Sequence, residues 1–262
     1  MARIASIEFS RVLKHPLTIL VALLLFALAV INGAGSAHLI PRFDLLQDGN
    51  DHFFSVGISN TINNTSMYMM IVSTFVGVLS LFEERARGSL RVLITKPVYR
   101  RDILAGKFLG LAGFIMMLLI VDVSLCVASI MIFYEGPQSG ADLLFRISSY
   151  IIVLFIACLF MLSFTFLIGM LFKDYMRSLI IAGTVMFFEW FYMIPVAFGD
   201  LRNLNPVQLC FNIIGHGPTF LFYTSLDYGQ WLSGALPYAA LLLAETLAAL
   251  AISAVVFSTD ET

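Results

Sequence analysis

Long apolar runs alternate with short polar segments along the chain, and these runs predict its architecture. Six runs approach or exceed the length that a helix needs to cross the hydrocarbon core of a bilayer, roughly 20 residues. They lie at residues 17–34, 66–82, 108–134, 147–172, 178–198 and 235–257. We therefore predict an all-α integral membrane protein with six transmembrane helices, which form a single domain over residues 1–262.

Three of the polar segments have a predicted structure of their own. Residues 1–16 form an amphipathic helix with a basic face, which would lie in the plane of the membrane interface. An unstructured basic tail is the alternative for this segment. Residues 33–65 are rich in Gly and Asn and are predicted as a long loop with a short amphipathic piece near 53–58. Residues 199–234 form a second long connection, which is apolar but interrupted by Gly and Pro.

The polar stretch 82–107 carries nearly half of the Lys and Arg residues. Seven of the 15 Lys and Arg residues lie in it: Arg85, Arg87, Arg91, Lys96, Arg100, Arg101 and Lys107. Glu83 and Glu84 precede basic residues at helical spacing, and Pro97 ends the predicted helix. A second short piece, 100–107, leads into the third span. The stretch can serve simply as a topology determinant that rests on anionic lipid. Its apolar patch with a charged rim also suits a partner site.

Composition and charge agree with a membrane protein and orient it. The chain is 60% hydrophobic and 12% charged, with a mean hydropathy of +0.92, whereas soluble domains carry about 25% charged residues. With the N-terminus inside, the inner segments hold twelve Lys and Arg residues and the outer loops hold three, namely Arg42, Arg146 and Arg202. The positive-inside rule then places stretch 82–107 and both termini in the cytoplasm.

The order of residues within this stretch resembles the cytoplasmic loop of type-2 ABC transporter permeases, a largely export-type family. The run E-x-x-x-G-S-L-x-x-L-x-x-K-P-V-x-R-R-D-I-L-x-G-K begins at Glu84. The residues that match are Glu84, Gly88, Leu90, Leu93, Pro97, Arg100, Arg101, Ile103, Gly106 and Lys107. The N-terminal helix, the six spans and the long connection 199–234 also fit that family.

The resemblance implies how the chain would work. The loop between helices 2 and 3 would contain a coupling helix that docks on a separate P-loop ATPase subunit through Glu84, Gly88, Leu90, Leu93, Pro97, Arg100 and Arg101. Two permease copies, as a homodimer or a related heterodimer, would bind two ATPases in the plasma membrane. Short re-entrant helices in 199–234 would cap the outer side of the pathway. ATP hydrolysis would then drive substrate movement, with export as the expected direction.

Three acidic residues fall near the middles of predicted spans: Asp122, Glu189 and Glu245. A charge there costs about 2.5–3.5 kcal/mol on insertion scales, so each should face the bundle interior or a cavity. We expect them to be protonated or hydrogen-bonded to neighbours such as Ser124, Thr184 or Thr246. They could line a polar pathway, or they could hold helices together as buried neutral acids. The second interpretation is favoured for Glu245, and both stay open for the other two.

Other chemistry has little support in the sequence. No G-x-x-x-x-G-K-[ST], H-E-x-x-H or G-x-S-x-G motif is present, so we expect no enzyme activity, no cofactor on this chain and ATP only on the partner. No nucleic-acid partner is expected. Three cysteines without CxxC spacing predict neither a disulfide nor a zinc site. Met67, Met69 and Met70 with His38, His52 and His216 could suit copper, but they lack ligand spacing.

Two other functions remain compatible with the sequence. A secondary transporter could use Asp122 and Glu189 to move protons, and it would need no ATPase. A membrane scaffold or sensor would transport nothing. The substrate cannot be identified from these residues.

Overall fold

Helices make up almost all of the chain that the structure describes. The computed structural model describes residues 2–39, 51–86, 100–133, 140–172, 174–190, 204–215, 220–222 and 227–259. Within these ranges it contains no strand and eight α-helices: α1 (Ala2–Leu13), α2 (Pro16–Leu39), α3 (Asp51–Ala86), α4 (Arg100–Phe133), α5 (Gly140–Leu171), α6 (Tyr175–Trp190), α7 (Pro206–Ile214) and α8 (Tyr228–Thr259). The predicted all-α fold is confirmed.

Five of these helices are long and apolar enough to cross a membrane. They are α2, α3, α4, α5 and α8, whose apolar stretches contain 18 to 32 residues. Helix α6 has 16 residues, and the span predicted over 178–198 continues into residues that are not described. A multi-span helical protein is therefore confirmed, while the sixth span stays a prediction.

Helix α3 begins at Asp51, well before residue 66, where the second span was expected. The predicted loop over 33–65 is wrong for its described residues, because α2 continues to Leu39 and α3 covers 51–65. Two polar residues of the predicted loop face the protein interior, since Thr61 and Thr65 are at most 2% exposed. Polar side chains on this part of α3 join helices, as they commonly do in membranes.

Three further boundaries differ from the sequence prediction. The piece expected at 100–107 is not a separate element, since it forms the first turns of α4. Helix α5 begins at Gly140, ahead of residue 147. Helix α8 begins at Tyr228, ahead of residue 235, so the last residues of the predicted connection 199–234 belong to α8. In each case the helix continues through residues that are polar enough to end an apolar run.

Helix α5 lies at the centre of the bundle and packs against α3, α4 and α8. At Gly77 of α3 an added Cβ would stand 3.0 Å from side-chain atoms of Leu162 and Thr165, so the absence of a side chain lets α3 and α5 approach closely. Phe108 of α4 meets Phe166 of α5 edge to face, with ring centroids 5.9 Å apart. These contacts belong to the main hydrophobic core, beside which Val78, Ile168 and Ala182 form a smaller cluster.

Helices α2 and α8 leave most of their apolar surface uncovered. Only 17% of the apolar stretch of α2 and 22% of that of α8 is buried, against 61% for α3. Large side chains such as Leu23 and Leu247 are more than half exposed. In a bilayer such faces contact lipid or another protein chain.

The segment after α6 folds back onto the bundle as the short buried helix α7. Asn205 caps its N-terminus, because its Oδ1 accepts the backbone N–H groups of Val207 and Gln208 at 2.9 and 3.0 Å. Gly215 ends it with a positive φ of 85°. Trp231 of α8 donates its indole N–H to the Ile213 carbonyl at 2.9 Å. These bonds fix α7 against α8.

Arg146 fastens the same region to α5. The sequence analysis placed this residue in an outer loop, but it lies inside α5 and is 4% exposed. Its Nε donates to Asp142 Oδ2 at 2.6 Å, and its second guanidinium nitrogen, Nη1, donates to the Leu221 carbonyl. A buried guanidinium needs such partners to offset the loss of water. The ion therefore ties residues 220–222 to the start of α5.

We expect Arg146→Met to lower the free energy of unfolding by about 2–3 kcal/mol, because the Leu221 carbonyl and Asp142 lose a charged donor. The measurement is denaturant unfolding in detergent micelles. Arg177→Met is the matched control: its side chain is 75% exposed and its Nε lies 3.5 Å from Asp174 Oδ2, a pair worth at most about 1 kcal/mol. Equal losses in the two variants would contradict the role of Arg146.

Candidate functional site

The basic stretch 82–107 connects the end of α3 to the start of α4, and its two ends are described. Glu84 lies in the last turn of α3, and Arg100 and Arg101 begin α4. The side chains of these three residues lie outside the described part, as do residues 87–99 with the remaining members of the predicted coupling site: Gly88, Leu90, Leu93 and Pro97. The coupling helix thus stays a prediction. The structure shows how the end of α3 and the start of α4, which we call its two roots, are held.

Lys107, one of the residues that carried the family resemblance, points into the protein. It is 4% exposed. Its Nζ donates to the backbone carbonyl of Ser80 at 2.8 Å and lies 3.3 Å from Glu8 Oε1. Because Ser80 belongs to α3 and Lys107 to α4, this ammonium joins the two helices close to the two ends of the basic stretch.

Glu8 of α1 supplies the negative charge of this site and is itself 4% exposed. Its Oε1 accepts hydrogen bonds from the Ser80 hydroxyl and from Arg11 Nη2, the latter at 2.7 Å. The Nη2 of Arg11 also lies 3.4 Å from the Ser80 carbonyl. One carboxylate is thus shared by two cations, a satisfied arrangement for buried charge. We call these four residues, Glu8, Arg11, Ser80 and Lys107, the Glu8 cluster.

Close backbone contact accompanies the charges. A Cβ added at Gly110 of α4 would lie 2.6 Å from the Ala5 carbonyl oxygen and 2.8 Å from Glu8 Cβ. One turn further along α1, the ring of Phe9 meets Phe114 with centroids 6.5 Å apart. Helix α1 is therefore docked against α4 along its length, through a glycine contact, a buried ion cluster and an aromatic pair.

The sequence analysis missed this docking. It expected α1 in the interface plane with its basic face outward, yet the face that carries Glu8 packs against α3 and α4, and Ile7 is 61% exposed. A signal was present: Glu8 is the only acidic residue among positions 2–39, and it lies in a helix that is otherwise basic. A lone acid of this kind, together with the small residues Gly110 and Gly113, is compatible with helix packing as well as with an interface helix.

The three predicted intramembrane acids occupy different environments. Asp122 of α4 is 3% exposed, whereas Glu189 of α6 and Glu245 of α8 are partly exposed. Each has one buried carboxyl oxygen without a hydrogen-bond partner among the described residues. Glu189 lies within electrostatic range of Glu245, whereas no such interaction links either residue to Asp122.

The acids were expected to be protonated or hydrogen-bonded to neighbouring hydroxyls, and two of the three named hydroxyls donate elsewhere. Ser124 donates to the Ile120 carbonyl at 2.6 Å, and Thr246 donates to the Leu242 carbonyl at 2.8 Å. Both hydroxyls satisfy carbonyls one turn back in their own helix, a local bond that needs no partner helix. They therefore do not shield the carboxyl groups.

Metal chemistry gains no support within the described residues. They contain no group of three or more His, Cys, Asp or Glu side chains arranged to hold an ion. The three cysteines, Cys126, Cys158 and Cys210, are free and buried. Met69 and Met70 are fully buried in the core. The side chains of His38, His52 and His216 lie outside the described part.

We expect Gly110→Ala to weaken the packing of α1, because the new methyl group would overlap with the Ala5 carbonyl oxygen and the Glu8 side chain. Gly113→Ala is the matched control on the same helix, since its added Cβ meets only Phe9 Cδ2 at an ordinary 3.7 Å. Limited proteolysis of α1 in detergent-solubilised protein measures the difference. A cost of about 1–3 kcal/mol from overpacking should raise the cleavage rate at Gly110→Ala by roughly five- to a hundredfold. Equal rates in both variants would contradict tight docking of α1.

Comparison with known proteins adds a family. The family model described as ABC-2 family transporter protein matches residues 2–262. No curated protein matches the chain. The match spans α1 through α8, including the basic stretch whose residue order resembles type-2 ABC permeases. The chain therefore belongs to the ABC-2 transporter family, as a multi-pass membrane protein of the permease type.

Proposed function

We propose that this chain is the transmembrane permease subunit of an ATP-driven exporter, and that a separate P-loop ATPase drives it through stretch 82–107. Membership of the ABC-2 family supports an ATPase partner. The observation that carries the coupling mechanism is the Glu8 cluster, because it joins both roots of this stretch to α1. Stretch 82–107 would lie in the cytoplasm with both termini, as the distribution of Lys and Arg favours.

The Glu8 cluster would make the end of α3 and the start of α4 move together. Sliding α3 past α4 would separate Lys107 from the Ser80 carbonyl and from Glu8. An uncompensated buried charge costs about 3–5 kcal/mol, so the roots favour moving together. A displacement imposed on the loop by ATPase closure would then pass into α1, α3 and α4 jointly rather than being lost in local bending.

On the partner side, the predicted coupling residues would make the contact. Leu90 and Leu93 would supply the apolar anchor, Glu84, Arg100 and Arg101 the charged rim, and Gly88 and Pro97 the limits of the short helix. Such an arrangement, an apolar centre with a polar rim, is usual for protein interfaces.

A second copy would complete the transport pathway. Helices α2 and α8 leave broad apolar faces uncovered, and α8 carries the partly exposed Glu245 near Glu189. Acidic residues in spans face a bundle interior or a cavity rather than lipid. We infer that a second permease copy covers this surface and that Glu189 and Glu245 line the space between copies. Asp122, buried within one copy, would instead serve bundle packing.

One observation favours a second candidate function. The unpartnered carboxyl oxygens of Asp122 and Glu189 would also suit a proton-coupled secondary transporter. That protein would work in vesicles with a proton gradient and no ATPase, whereas the proposed permease requires the ATPase and ATP.

We expect Glu84→Arg and Gly88→Trp to abolish stimulation of the partner's ATPase activity and to reduce its co-purification by about tenfold or more, the size of an interface hot spot. Membrane insertion should be unchanged. Glu261→Arg makes the same charge reversal in the predicted cytoplasmic tail and serves as the control. Normal co-purification and ATPase stimulation in the two loop variants would contradict the docking role.

We expect Glu189→Gln and Glu245→Gln to alter the pH profile of partner-stimulated ATPase activity, because they remove titratable groups from the proposed pathway. Asp122→Asn should leave the profile unchanged, since its carboxyl lies inside one copy. The activity is measured in proteoliposomes at several pH values. A profile altered only by Asp122→Asn would instead place the proton-sensitive site inside the single bundle.

A further inference from the structure

The turn between α5 and α6 lies against the first residue of stretch 82–107. Its described residues are 171–172 and 174–177, which we call the α5–α6 turn. Tyr175, the first residue of α6, meets Phe82 edge to face, with ring centroids 5.2 Å apart. The α5–α6 turn is therefore on the same side of the bundle as the predicted coupling helix.

Close packing joins the α5–α6 turn to the end of α3. A Cβ added at Gly169 of α5 would lie 2.6 Å from Leu81 Cδ1 of α3, so the two helices approach closely because Gly169 has no side chain. Beside this contact, Val78 of α3, Ile168 of α5 and Ala182 of α6 form the smaller hydrophobic cluster. The end of α3, the end of α5 and the start of α6 thus pack together next to the main core.

The outer surface of the α5–α6 turn combines apolar and charged side chains. Leu171 and Met176 are more than half exposed, and so are the side chains of Asp174 and Arg177. Because charged side chains avoid the hydrocarbon core, this surface lies outside it. Apolar groups within a polar rim are usual for a protein interface.

Hydrogen bonds hold the α5–α6 turn in shape. Asp174 Oδ1 accepts the backbone N–H of Met176 at 3.0 Å, and the Ser178 N–H donates to the Asp174 carbonyl at 3.1 Å. The hydroxyl of the buried Ser178 donates to the Phe172 carbonyl at 2.7 Å. A partner would therefore meet a surface that is already ordered, which lowers the entropic cost of binding.

A contact at this turn would reach a helix that the Glu8 cluster does not include. The cluster joins α1, α3 and α4, whereas Glu189 of the proposed pathway belongs to α6. Helix α6 begins at Tyr175, so a displacement of the α5–α6 turn would move α6 directly. A partner that contacts both this turn and stretch 82–107 would thus move α6 together with α3.

We propose that the α5–α6 turn is a second docking surface for the ATPase subunit, adjacent to its proposed contact on stretch 82–107. Met176 would supply the apolar anchor, and Asp174 and Arg177 the polar rim. Continuity identifies the occupant, since the ring of Tyr175 contacts Phe82, which is itself part of stretch 82–107. This inference rests on the proposed function, and its two experiments distinguish failure of the one from failure of the other.

The first experiment measures thiol accessibility in proteoliposomes, with the P-loop ATPase subunit that co-purifies with the full chain. Met176→Cys should react with a water-soluble maleimide in the chain alone, and the natural cysteines are buried. Bound ATPase should slow this reaction by about tenfold or more, because residues at the centre of an interface lose contact with water. Glu261→Cys, in the predicted cytoplasmic tail, is the control and should react equally with and without ATPase.

Two results of this experiment would overturn the proposal. Absence of reaction at Met176→Cys in the chain alone would place this side chain in lipid. Equal reaction rates with and without bound ATPase would show that the subunit does not cover the α5–α6 turn.

The second experiment compares the turn with stretch 82–107. Met176→Asp replaces the apolar anchor by a charge and should reduce co-purification of the ATPase by about tenfold or more, whereas the control Glu261→Arg should not. Unchanged co-purification in Met176→Asp, together with a loss in Glu84→Arg and Gly88→Trp, would overturn the second surface and leave the proposed function intact. The absence of any co-purifying ATPase would contradict both.

Discussion

The carboxylate of Glu8 holds three helices together at one end of the bundle. It is buried, and such a charge is tolerable only because a hydroxyl and two cations surround it. Each of these partners comes from a different position in the chain: Arg11 from α1 itself, Ser80 from α3 and Lys107 from α4. If α1 left the bundle, Lys107 would lose its counter-ion in an environment without water. The docking of α1 and the pairing of α3 with α4 therefore depend on each other.

The opposite end of the bundle follows the same rule with different groups. Buried polar groups in a membrane protein must find partners within the protein, since lipid offers none. Arg146 meets the Leu221 carbonyl, and Trp231 meets the Ile213 carbonyl. Here the acceptors are backbone carbonyls of the chain after α6: Leu221 lies outside the helices, whereas Ile213 belongs to α7. The first bond therefore fastens a non-helical segment to α5, and the second joins α7 to α8.

The sequence predicted the membrane class and most spans, because the length and apolarity of a run report directly on whether it can cross hydrocarbon. The predictions from the sequence were wrong at polar residues that are buried. Thr61 and Thr65 were interpreted as loop residues, Arg146 as an outer charge and Glu8 as part of an exposed helix. Whether such residues meet water or another helix depends on partners far away in the chain: Ser80 is 72 residues from Glu8, and Leu221 is 75 from Arg146. No local pattern contains that information. The basic stretch was recognisable because its signal is local, namely the order of residues in 82–107.

The saturation of the Glu8 cluster also decides what it is suited to do. Its carboxylate and ammonium are nearly inaccessible, and both already have partners, so the cluster is poorly suited to receive a substrate and well suited to hold helices in register. Glu189 and Glu245 differ from the cluster, because one carboxyl oxygen of each residue has no hydrogen-bond partner among the described residues. A buried network whose polar groups all have partners is rigid, whereas a group without a partner can still accept one. Under the proposed function, α1, the end of α3 and the start of α4 would therefore transmit motion, while Glu189 and Glu245 would be the groups that contact the substrate.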